Sequence, residues 1–135
     1  MLTKRLLAVA CCALLGSAVL VAAKGGRTLP SGTWGGEHVA LEVSSKGATL
    51  EFDCAHGDIT QAIRPDTHGR FSVTGTFAAE HGGPVLRDEK PSSSPARYSG
   101  QVKGDTMNLT VTRGKEKLGT YKLKRDEAPK LMKCR

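Results

Sequence analysis

The groups in this 135-residue chain that can do chemistry are four histidines, thirteen carboxylates and four cysteines. They are densest in LEFDCAHGDI, where Asp53, Cys54, His56 and Asp58 fall within six positions. Such a set suits a zinc, copper or nickel ion, or a thiol held beside a base. It equally suits the end of a strand that carries a disulfide and then turns. His38, His56, His68 and His81 are 18, 12 and 13 residues apart, so no two of them chelate from one helix or one turn. Any metal site has to be assembled from separate elements.

Those elements are strands. From Trp34 onward apolar residues recur with period two, the spacing of a strand with one buried face. Val39, Leu41 and Val43 share a face in EHVALEVSS, and Ala48, Leu50, Phe52 and Cys54 share one in ATLEFDC. Gly57 is expected to turn the chain into DITQAI, with Ile59 and Ile63 on one face. Four further runs follow: RFSVTGTFA (Phe71, Val73, Phe77), RYSGQVKG (Tyr98, Val102), TMNLTVTR (Met107, Leu109, Val111) and LGTYKLKRD (Tyr121, Leu123). HGGPVLRDEKPSSSPA has no period and is expected to be a long loop over 81–96. An eighth strand is expected from Val85–Leu86 or from KLMKC. Most connections are short turns, so the expected fold is all-β. It is an antiparallel meander of seven to eight strands closing into a small up-and-down barrel or barrel-like sandwich. Roughly twenty inward side chains would fill a barrel of that size and leave no roomy cavity.

A meander also brings the histidines into relation. If the start of the Val39 strand marks the lower end, the ends of the Phe52 and Phe77 strands lie there too. His38, His56 and His81 map to that rim with Glu37 and Glu80, and Asp58 is nearby; His68 maps to the opposite end. Imidazoles with carboxylates converging from neighbouring strands suit zinc or copper. The alternative is that each histidine is an ordinary turn or strand-end residue, and that no cofactor binds.

Catalysis is not expected. Cys54 is engaged elsewhere, Ser92 to Ser94 sit in a Pro-flanked loop, and Glu51 and Asp53 project from one strand toward solvent. No helix is present to carry a phosphate-binding loop.

Cysteine usage and the N-terminus point to export. Lys4 and Arg5 precede the apolar run LLAVACCALLGSAVLVAA, which ends in small residues at Ala23. This is the pattern of a signal peptide over 1–23. A membrane anchor and a lipoprotein modified at Cys11 are the alternatives, and contact with a membrane is expected only through this segment. Cleavage after Ala23 leaves 112 residues. That is enough for one domain over 34–135 behind a flexible lead over 24–33. Cys54 and Cys134 then remain as a pair in a secreted or periplasmic, oxidising setting, where a disulfide is expected. Closing a loop of about 80 residues would stabilise the fold by roughly 4 kcal/mol.

Charge is uneven. Arg113 to Arg135 holds nine basic and three acidic residues. Lys122 and Lys124 alternate with Tyr121 and Leu123, so they face outward. They either guard the sheet surface or present a basic face to polyanions or an anionic surface. Nucleic acid is disfavoured, since only Tyr121 could serve as a stacking platform there.

Two resemblances add to this reading. Gly32-Thr33-Trp34 resembles the Gly-x-Trp opening of lipocalins and avidins, which implies a calycin-type barrel with Arg125 covering Trp34. Phe52-Asp53-Cys54, the terminal Cys134 and Pro95 to Gly100 (PARYSG) resemble features of bacterial C-type lysozyme inhibitors, which are small exported barrels. The stretches WGGEH, GATLEFDCAHG, GRFSV, EHGGP and ARYSG are also similar to uncharacterised bacterial secreted proteins. The expected function is a non-catalytic binding or inhibitor-like module for a protein or small ligand, using the lower rim and the 81–96 loop. The alternatives are a metal-binding protein built on His38, His56 and His81, and a polyanion binder.

Overall fold

The computed structural model describes residues 26–90 and 92–134. The period-two segments pair in chain order as eight strands. They are β1 (Gly32–Gly36), β2 (Val39–Val43), β3 (Ala48–Phe52), β4 (Ala55–Ile59), β5 (Arg70–Ala79), β6 (Ser93–Lys103), β7 (Thr106–Arg113) and β8 (Glu116–Arg125). Every strand is antiparallel to the next, and β1 closes on β8 from Trp34↔Arg125 to Gly36↔Leu123, so the sheet is a closed barrel. Closure leaves no free edge to template pairing between molecules. The described residues contain no helix, and thus none long and apolar enough to cross a membrane. Met1 to Ala23, the expected signal segment with Cys11, lies outside the described residues.

The eighth strand is β1, which begins inside the expected flexible lead. Its glycines hide the period that marks the other strands, but they are needed for close approach. A side chain on Gly36 would strike the Lys122 carbonyl, and one on Gly35 the Glu127 carbonyl. Neither alternative source supplies a strand. Val85 and Leu86 lie in the β5–β6 connection, 79% and 70% exposed, and the KLMKC segment makes only an isolated bridge, Lys130 to Glu37.

Gly57 does not turn the chain. The turn is three to four residues earlier, at Asp53–Cys54, and Gly57 sits inside β4 facing the core. A side chain there would fall on the Tyr98 hydroxyl, so the glycine makes room for a tyrosine that the barrel encloses. The earlier turn also places Cys54 on the surface rather than inward. Gly104 and Gly114, with φ of 59° and 61°, do turn the chain, in two-residue hairpins that need left-handed backbone.

Inside, Trp34, Val39, Leu50, Tyr98, Met107, Leu109 and Val111 are fully buried, and among the described residues no charged one joins them. Phe52 packs against Phe77 and Tyr121 with ring centroids 5.7 and 5.1 Å apart. The interior is filled by its own side chains, as expected. Leu29 and Ile63 plug the upper end, where the Leu29 N–H donates to the Ile63 carbonyl at 2.7 Å. The lower end holds the β1–β2 and β3–β4 turns, the long 80–92 connection and the C-terminal tail. The tail descends across β1, with the Lys130 N–H donating to the Gly36 carbonyl at 3.0 Å. It is fastened by the Cys54–Cys134 disulfide, whose Cα atoms are 5.3 Å apart.

Candidate functional site

The β1–β2 turn, the β3–β4 turn, the 80–92 connection and the tail each contribute a polar group to the lower end. His38 occupies the β1–β2 turn in left-handed backbone, φ 68°, and its N–H donates to the Lys130 carbonyl at 2.9 Å. Its Nδ1 donates to Asp53 Oδ2 at 2.6 Å across the rim. The other oxygen of Asp53 accepts the Met132 N–H at 2.8 Å. That backbone donor, followed by His38, holds the Asp53 carboxyl below its ordinary value.

His56 points outward from β4, and its Nδ1 donates to Glu80 Oε1 at 2.9 Å. Lys133 Nζ donates to Glu80 Oε2 at 3.1 Å and to the Phe52 carbonyl at 3.0 Å. The His56 and Lys133 contacts together lower the Glu80 carboxyl, against the desolvation that opposes it. A chain His56–Glu80–Lys133 thereby ties β4, β5 and the tail.

His81 starts the long connection. Its Nδ1 donates to the Gly82 carbonyl at 2.9 Å, and its Nε2 donates to Glu89 Oε1. With an acceptor at each ring nitrogen the imidazolium is favoured, and the group is raised above its ordinary value of 6.5. Glu89 is lowered in turn by His81 and by the Leu86 N–H, which reaches its Oε2 at 3.2 Å. Beneath this loop is an open cleft of about 430 Å³, lined by His56, Ala79, Glu80, His81, Val85, Glu89, Lys90 and Ser92.

The three rim histidines therefore share an end of the barrel but do not converge. Each engages a different acceptor carboxylate, and no group of three or more His, Cys, Asp or Glu able to hold a metal ion occurs among the described residues. Of the expected rim carboxylates, Glu80 belongs to the network, whereas Glu37 faces Lys130 at 3.9 Å. Asp58 lies further up β4, opposite Thr49 and Thr76. His68 is in the upper-end connection, its N–H held by Asp66. Glu89 and Lys133 were the residues that spacing did not point to, and Asp53, noted for its closeness to Cys54 and His56, was expected to project into solvent rather than to hold His38 and the tail. One signal was present: once Cys54 and Cys134 are joined, Asp53 and Lys133 must be neighbours too.

At the other end, Trp34 and Arg125 are direct cross-strand partners, which puts both side chains on one face of the sheet. Trp34 is 2% exposed, and its indole N–H has no acceptor among the described residues. Tyr98 is a structural residue: its hydroxyl donates to the Thr76 carbonyl at 2.6 Å, and burial, with the Asp58 charge, raises it to about 12. Pro95 to Gly100 is mid-strand in β6 with Tyr98 wholly buried, so that segment offers Tyr98 to no partner. Lys122 and Lys124 face solvent as expected.

No family model matches the chain, and neither does any curated protein or solved structure.

Proposed function

We propose that this is an exported, non-catalytic binding module that takes a protein partner at the lower end of its barrel. The observation that carries the reading is the placement of exposed apolar side chains. Val85, Leu86 and Met132, 79%, 70% and 73% exposed, are the large hydrophobics left in solvent among the described residues. All three lie on the 80–92 connection and the C-terminal tail. Polar anchors hold both segments: Glu89 holds the Leu86 N–H, and Asp53 holds the Met132 N–H. Apolar side chains on pinned backbone, rimmed by charged groups, have the composition of a recognition surface. A packed interior favours an external site over a calyx. The disulfide suits an oxidising compartment, secreted or periplasmic. The Trp34–Arg125 register is compatible with a calycin-type barrel.

Photo-crosslinking tests this reading. A photoreactive residue is placed at Leu86, at Met132 or, at the opposite end, at Lys46, and the cells that make the protein are irradiated. The expected result is one common adduct from the first two positions and none from Lys46. Adducts from all three positions alike, or from none, would overturn the reading.

A further inference from the structure

We infer that the outer face of β5 to β8 binds an anionic polysaccharide. The register sets out this face in rows running across the strands. One row is Lys103, Thr106 and Lys124; the next is Arg70, Gln101, Asn108 and Lys122. Below them come Ser72, Ser99, Thr110 and Thr120, then Thr74, Arg97, Thr112 and Lys117. Lys122 and Lys124, which alternation in the sequence put outward, are one corner of this larger array.

Its composition is selective. The four rows carry six cations and no carboxylate, and all six are exposed. None of the six is in an ion pair among the described residues. Carboxylates lie at the margins: Asp66, whose Oδ1 accepts the Arg70 N–H at 2.9 Å, Glu116 in its ion pair with Arg113, Asp105 in a turn, and Glu127 beside Lys122 and Lys124. The other half of the barrel is the reverse, with Glu42, Glu51 and Asp58 exposed on β2, β3 and β4.

The uncharged positions choose among polyanions. Every one is a hydroxyl or an amide, and the Ser72–Ser99–Thr110–Thr120 row is hydroxyl throughout. Side chains two apart on one strand stand ~7 Å apart, and adjacent strands ~4.8 Å, so cations and hydroxyls are interleaved over the convex outer surface of the barrel. That pattern meets a chain bearing both charges and hydroxyls. A bilayer would want apolar side chains to insert, and the exposed ones lie at the lower end instead. A single-stranded nucleic acid would want aromatic platforms; Tyr121, the aromatic of β8, is half-buried against Phe52.

The test measures binding of fluorescent dextran sulfate to the disulfide-intact protein at low and raised salt, beside neutral dextran, polyphosphate, anionic phospholipid vesicles and an oligonucleotide. Dextran sulfate is expected to bind best, neutral dextran not at all, and affinity to fall with salt. Lys122→Gln with Lys124→Gln should weaken it roughly 25-fold, about five-fold per lysine. Thr110→Val with Thr120→Val should weaken it a few-fold without altering the salt dependence. Val85→Ser with Leu86→Ser should leave it unchanged, which keeps this face separate from the lower-end site. Circular dichroism confirms that each variant is folded. Four results would overturn the inference: no binding at low salt, indifference to the lysine variant, equally tight binding of polyphosphate, vesicles or oligonucleotide, or a low-salt self-association that accounts for the face.

Discussion

At the level of single residues, the lower end is a set of hydrogen-bonded charges whose protonation can be followed. Asp53, Glu80 and Glu89 are held below their ordinary values of 3.8, 4.5 and 4.5. Their contribution is therefore present above those values and disappears as the pH falls through the lowered ones. His81 has the opposite sign. Raised from 6.5, it contributes fully below that value and ceases to as the pH climbs past its folded one. Protection factors for the amides of residues 82–90 should thus peak between the carboxylate range and the imidazole value and decline on both sides. A maximum in alkali would refute the His81–Glu89 pin. Gly57 gives a sharper case. Gly57→Ala forces a methyl onto the Tyr98 hydroxyl in a filled barrel, and should cost about 3 kcal/mol or more in thermal or denaturant unfolding. Unchanged stability would mean that Tyr98 is not packed as described. This glycine also shows where sequence reading fails: a glycine that relieves a distant tyrosine and one that turns the chain look alike until the strands are paired.

Among the elements, most of the barrel was legible because each strand needs one apolar face, and period two exposes it. Val39-Leu41-Val43 and Met107-Leu109-Val111 are buried as their alternation demands. β1 escaped because glycines write no pattern, although they are what lets β8 and the tail pack close. The rim histidines were placed at the right end, since a meander fixes which turns are neighbours. Their partners were not legible, because a side chain's choice among nearby carboxylates depends on ångström-scale geometry and on a tail whose path only the fold reveals. That tail makes its own prediction. Cys54→Ser with Cys134→Ser should lower stability by roughly 4 kcal/mol on the loop-entropy view. Amides of residues 130–134 should lose protection before those of the barrel, since their anchors are Gly36, Asp53 and the β3–β4 turn. Equal loss throughout would show that the tail is integral to the barrel.

The whole molecule divides its surface by chemistry. The interior is filled with side chains, one flank is acidic and the other basic, and the large exposed apolar side chains among the described residues lie at one end. The central claim is that apolar recognition belongs to this end and not to the barrel's interior. Titration of the isotopically labelled protein with the apolar dye anilinonaphthalene sulfonate, followed by backbone amide chemical shifts, tests it most directly. Shifts confined to residues 82–90 and 131–134 are predicted. Shifts centred on Leu41, Leu50, Tyr98 and Met107 would mean that the dye enters the barrel, and would contradict the account.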